Sequence, residues 1–224
     1  MWKKWISNVL LYAILCTLSA AATKVHVIVL GKSTPVQWQS GIGDNKPITL
    51  RVRALMVDGR VKEYVMDSPH EVTERLFVAR RAFRVNDSLP GETLAKWQWQ
   101  RGGWLLIDRT TGRVSPINLP EFDAFYSVVS WYRDYAAYCG VSDDGKKTYA
   151  MVAQIGRRKP VLKTAFGAAV SEDAGPDSAC QSPAWQRGPV RVSFESGDAK
   201  QTFAIRGHVV DVVNDAEEED EGAK

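Results

Sequence analysis

Hydrophobic and polar positions alternate with period two over much of the chain, the spacing that puts every second side chain on one face of a β-strand. From Ile48 to Val57, Leu50, Val52, Ala54 and Met56 alternate against Thr49, Arg51 and Arg53. Asp58-Gly59 follows, a dipeptide suited to the positive φ of a tight hairpin turn, and Arg60 to Val65 is the expected return arm. Upstream, the β-branched run Thr23 to Leu30 predicts a strand, and Gln37 to Lys46 a polar connection. Gly31-Lys32-Ser33-Thr34 imitates the end of a phosphate-binding loop. The glycine that such a loop needs five positions earlier is His26, so the segment reads as a turn.

Two templates compete after Val65. Ser68-Pro69-His70-Glu71 has the form of a helix capping box, with Val72, Leu76, Ala79 and Phe83 as a helical stripe. Phe77, Ala79, Arg81, Phe83 and Val85 fit a strand equally well. The surrounding hairpins favour a short turn and then a strand through Val85, closed by the loop Asn86 to Gly91. Leu94 to Gln100 alternates again, Arg101-Gly102-Gly103 reads as a turn, and Trp104 to Asp108 as the arm running back. Thr110-Thr111-Gly112 turns the chain toward Val114 to Leu119.

Phe125 to Gly140 is long enough for one bent strand or two. Asp143-Asp144-Gly145 is a turn, and on the arm Lys147 to Ile155 the residues Tyr149, Met151, Ala153 and Ile155 share the core side. Arg157-Arg158-Lys159 forms a charged tip before Pro160 to Phe166, and Gly167 to Gly188 reads as a loop. Val190 to Phe194, Gln201 to Ile205 and His208 to Val213 predict three late strands. The expected fold is all-β, built from antiparallel hairpins and meanders. A sandwich or barrel is the first choice and a small or partial β-propeller the second, since no blade signature recurs at a fixed period.

The N-terminus changes the picture. Lys3 and Lys4, the apolar run Val9 to Leu18 and Ser19-Ala20-Ala21-Ala22 follow the order of a secretory signal peptide, with cleavage after Ala22. The expected organisation is a signal peptide at 1–22, one mostly-β domain at 23–213 and a disordered acidic tail at 214–224. The protein is then exported, to the periplasm or the outside, with no stable membrane span after cleavage. Cys16 reads as a hydrophobic residue of the discarded peptide, leaving Cys139 and Cys180, which an oxidising compartment would bridge.

The whole chain carries +3; the signal peptide removes two lysines, and the segment from Asp211 onward carries −6, so Thr23 to Val210 is +7. Its cations are spread rather than gathered into a basic run, and no nucleic-acid partner is expected.

Catalytic chemistry has little to stand on. His26, His70 and His208 are far apart and lack motif neighbours, and neither G-x-S-x-G nor H-E-x-x-H nor a paired-cysteine metal spacing occurs. No metal or cofactor is expected. Glu121, Asp123 and Asp134 flank an aromatic stretch, and glycoside cleavage uses two carboxylates about 5–10 Å apart across a sugar. Asp123 and Asp134 would be the pair of a carboxylate-dependent glycan hydrolase.

Aromatic binding is the stronger expectation. Trp97 and Trp99 share one face of a strand, and on a continuous strand Trp131, Arg133 and Tyr135 share another. An arginine seldom enters a core unpaired, which favours Trp131, Arg133 and Tyr135 as the exposed group. The function expected is a non-catalytic exported module that binds a cell-envelope protein or a glycan through an aromatic-arginine face. The alternative is the hydrolase.

Overall fold

A computed structural model of the chain describes residues 26–39, 47–171, 173–207 and 209–213. The expected signal peptide with Cys16, the acidic tail and His208 lie outside the described residues. The fold is all-β and antiparallel, with fifteen strands in three sheets among the described residues.

The first sheet holds β1 (Ile28–Leu30), β2 (Thr34–Trp38), β3 (Ile48–Val57), β4 (Arg60–Glu71), β5 (Leu76–Asn86), β6 (Trp97–Asp108) and β7 (Val114–Ile117). Its order is β1-β3-β4-β5-β6-β7, with β2 also paired to β3. The second contains β8 (Val129–Tyr132), β9 (Tyr135–Val141), β10 (Thr148–Gln154) and β11 (Leu162–Ala165), and the third β12 (Ala184–Arg187), β13 (Val190–Ser196), β14 (Ala199–Arg206) and β15 (Val209–Val213). Both four-stranded sheets are simple meanders.

The second sheet is the middle layer. One of its faces, with Ala137, Cys139, Val141, Ala150 and Val152, packs against Val192, Phe194, Phe203 and Ile205 of the third sheet. The other, with Ala136, Tyr138, Met151 and Ala153, packs against Val78 and Trp104 of the first. Burial on both faces explains why YAAYCGV and TYAMVAQ are almost continuously apolar instead of alternating. On the expected core side Met151 and Ala153 are buried, with Tyr149 and Ile155 half-buried beside them, and the opposite face of β10 is buried too. Cys139 and Cys180 form a disulfide with Cα atoms 5.9 Å apart, tying β9 to the segment before β12.

The long strands of the first sheet, β3 to β6, carry two separate core clusters. One holds Leu55, Val65, Phe77, Leu105 and Ile107. The other holds Trp38, Leu50, Val52, Met66 and Ala82, and Trp38 Nε1 donates to Gln100 Oε1 at 3.2 Å. His26 and Val57 close on Gly112, whose Cβ position lies 2.9 Å from both.

The local readings fare unevenly. Asp58 and Gly59 have φ of 52° and 75°, the two positive values of a two-residue hairpin turn. The capping-box segment Ser68–Glu71 is instead the end of β4, and the turn follows it, where Thr73 Oγ1 accepts from the Leu76 amide. Thr34 to Trp38, read as turn and connection, is a strand because β3 is long enough to pair with β1 and β2 end to end. Arg101-Gly102-Gly103 does not turn: β6 runs straight through it, opposite a bulge at Arg80 to Ala82. Gly102 is needed there for close approach, since an added Cβ would sit 3.1 Å from Arg81 Cβ. Phe125 to Gly140 resolves into two strands with a turn at Arg133-Asp134.

Candidate functional site

That turn separates the expected Trp131, Arg133 and Tyr135 group. The two-residue connection pairs Tyr132 with Tyr135 and Trp131 with Ala136, so Trp131 and Tyr135 project from opposite faces of the middle sheet. Trp131 packs toward the first sheet, edge-on to Trp104 at 5.2 Å and parallel to His70 at 5.9 Å. His70 Nε2 donates to the Arg133 carbonyl at 2.8 Å, so this contact staples β4 to the β8–β9 turn. Tyr135 packs toward the third sheet beside Trp185 and donates its hydroxyl to the Gly207 carbonyl. Arg133 is exposed at φ 53°, with its guanidinium over Tyr132. The three residues do not form one face, because the premise of a continuous strand fails at Arg133.

Trp97 and Trp99 do share a face. They lie at the start of β6, where the register pairs Asn86 with Trp97 and Arg84 with Trp99. The Arg84 guanidinium sits 5.6 Å from the Trp97 ring centroid and 5.5 Å from that of Trp99, bridging both. Tyr64 meets Trp99 edge-on at 5.3 Å and extends the row onto β4. Trp99 and Tyr64 are half-buried, whereas Trp97 keeps 59% of its surface exposed. Leu89 and Leu94, in the β5–β6 connection, are 68% and 79% exposed. That connection is ordered by its own polar contacts: Asn86 Oδ1 accepts from the Ser88 and Lys96 amides, and Glu92 pairs with Lys96. A rigid hairpin end thus holds a large indole in solvent with an arginine beside it. Trp97, Trp99, Arg84 and Tyr64 form one row of aromatics bridged by an arginine. The sequence reading missed Arg84 and Tyr64 because both join through cross-strand register, and a turn assumed at Gly102-Gly103 hid the β5–β6 pairing.

The carboxylates are occupied structurally. Asp123 Oδ1 accepts from the amides of Phe125 and Tyr126, closing a turn whose Ser127 hydroxyl donates to the Cys139 carbonyl. Asp134 Oδ2 accepts from Gln154 Nε2 at the other end of β9. The five residues of strand from Asp134 to Cys139 span roughly 17 Å. The fold does not bring Asp123 and Asp134 together across a sugar-sized gap. The tip Arg157-Arg158-Lys159 is exposed.

Two buried arginines of the first sheet meet an exposed aspartate of the β11–β12 connection. Arg101 donates through both terminal nitrogens to Asp177, a residue at φ 60° in the β11–β12 connection. Arg80 lies 4.0 Å from the same carboxylate and donates to the Ala124 carbonyl at 2.7 Å. Burial, then the positive charge of Arg101, lowers the Arg80 pKa to about 10. Two guanidiniums share one carboxylate, and the Asp177 amide donates to the Phe125 carbonyl. The centre straps the long connection onto the first sheet.

No family model, curated protein or solved structure matches this chain.

Proposed function

We propose that the chain is an exported, non-catalytic β-rich module that binds a cell-envelope protein through the face formed by Trp97, Arg84, Trp99 and Tyr64. The observation that carries this reading is Trp97, 59% exposed on an ordered hairpin end with an arginine beside it and two exposed leucines in the same β5–β6 connection. Indole, phenol and guanidinium groups dominate the hot spots of protein interfaces, where they bury large area at little entropic cost. Leu89 and Leu94 add aliphatic surface that a sugar-stacking platform does not use, which favours a protein over a glycan as the partner. Export is supported by the charged, apolar and small-residue order of the N-terminus and by the Cys139–Cys180 bridge.

The test is quantitative capture of an envelope component by immobilised protein, with the captured partner purified and rebound. Trp97→Ala should lower affinity at least about tenfold, the scale of a hot-spot truncation, while leaving the melting temperature unchanged. Affinity unaltered by Trp97→Ala would sink the reading. Saturable binding on a glycan array that is lost in the same variant would transfer the site to a glycan ligand.

A further inference from the structure

A second site stands apart from the tryptophan face. On β3, Thr49, Arg51 and Arg53 occupy alternate positions and so project from one face. They line a concavity of about 420 Å³ with Ser33 from the β1–β2 bend and with Asp67 and Ser68 from β4. Asp67 has φ 59° and lies where the β4–β5 register shifts between Met66 and His70. Such irregularities re-aim side chains and recur beside binding sites.

The lining gathers two arginines and three hydroxyls in one place. Arg75, Arg81, Arg101 and Arg109 each grip a carboxylate. Arg51 and Arg53 have no ion pair among the described residues, although Arg53 is half-buried. Thr49 Oγ1 accepts from Gln37 Nε2 at 3.3 Å, which leaves its own proton available to donate. Two guanidinium forks and three hydroxyls offer more donors than a planar carboxylate can accept, and they suit a tetrahedral oxyanion. Asp67, the one acid in the lining, repels a free dianion but accepts well from an alcohol. The volume lies within the range of small-molecule sites.

The geometry points to this concavity as a binding site for a sugar carrying a phosphate or sulfate ester, with the ester on Arg51, Arg53 and the hydroxyls and a ring hydroxyl on Asp67. The assignment does not depend on the tryptophan face.

Isothermal titration of the purified protein with glucose 6-phosphate, glucose 6-sulfate, inorganic phosphate, inorganic sulfate and glucose tests it. The esters should bind saturably and more tightly than the inorganic anions, and glucose should not bind. Arg51→Gln and Arg53→Gln should each weaken ester binding about tenfold or more, the scale of a lost charged hydrogen bond. Arg51→Lys should fall between, because it keeps the charge and loses the fork. A preference for one ester identifies whether phosphate or sulfate is the natural group. No saturable binding by any ester, binding equal to that of glucose, or binding undiminished in both glutamine variants overturns the assignment. Thermal melts of each variant separate a lost site from a lost fold.

Discussion

Replacing Asp177 by Asn removes one negative charge and little else. Asparagine is nearly isosteric, tolerates the left-handed backbone that Asp177 adopts at φ 60° and keeps its amide bond to Phe125. The variant therefore isolates the ionic centre. Arg101, 8% exposed, loses a bidentate partner, and Arg80, 5% exposed, loses its nearest countercharge. Removing one member of a fully buried pair costs about 3–5 kcal/mol. Asp177 is itself 42% exposed at its side chain, so water recovers part of that cost. The expected destabilisation is about 2–3 kcal/mol.

The second guanidinium offers an internal control. The lowered Arg80 pKa means that the folded state resists holding this charge, by roughly 3 kcal/mol at neutral pH. Arg80→Met removes that cost, loses the bond to the Ala124 carbonyl, and should leave stability within about 1 kcal/mol of the parent. In the Arg80→Met background, Asp177→Asn should cost at least about 1 kcal/mol less than in the parent, because only one charge is then stranded. Urea unfolding of the four proteins, at constant m-value, gives the coupling directly. Asp177→Asn within about 0.5 kcal/mol of the parent, the range of ordinary surface substitutions, would refute the strap. A cost unchanged by Arg80→Met would refute the sharing.

Opening the Cys139–Cys180 bridge by a double Cys→Ala change should cost about 4 kcal/mol, since the cysteines are 41 positions apart in sequence; denaturant titration reads it. Arg133→Gly should leave stability equal or raise it by up to about 1 kcal/mol, because glycine occupies positive φ without the steric cost that Arg133 bears. A loss above that value would show that the guanidinium holds the turn. Glu71, Glu92, Asp108 and Asp144 have pKa values lowered by hydrogen bonds, chiefly from Arg109, Lys96, Arg75 and Ser142 in that order. Their contribution is present above the unfolded carboxylate range and lost as pH falls below it, so the melting temperature should decline from about pH 4 downward. At the alkaline end burial raises the Tyr138 pKa, so the unfolded chain ionises first and stability falls above about pH 10. Tyr138→Phe should therefore be less stable at pH 7, for want of the bond to the Pro120 carbonyl, with the gap narrowing above pH 10.

The sequence by itself determined the class of fold and several local decisions. Period-two alternation, Asp58-Gly59 and Asp143-Asp144-Gly145 are short-range signals whose physics is complete within a few residues, and they identify β3 with its return arm and the β9–β10 hairpin. Cys139 and Cys180 could be paired because only two cysteines follow the expected signal peptide. The turn at Arg133-Asp134 was illegible for the opposite reason: an arginine at positive φ carries no turn signature, and the surrounding hairpin holds it there.

Only the tertiary structure decided which aromatics meet solvent. Trp97 and Trp131 sit in equally plausible alternating strands. Sheets on both sides cover the middle layer that bears Trp131, while Trp97, the first residue of β6, is left 59% exposed although Trp99 two positions on packs against a core cluster. Exposure depends on what stacks above a strand, and that is a long-range property absent from its own pattern. The same holds for Asp177, which meets Arg101 across 76 positions, and for Arg51 and Arg53, whose lack of an ion pair among the described residues depends on where the fold carries its carboxylates.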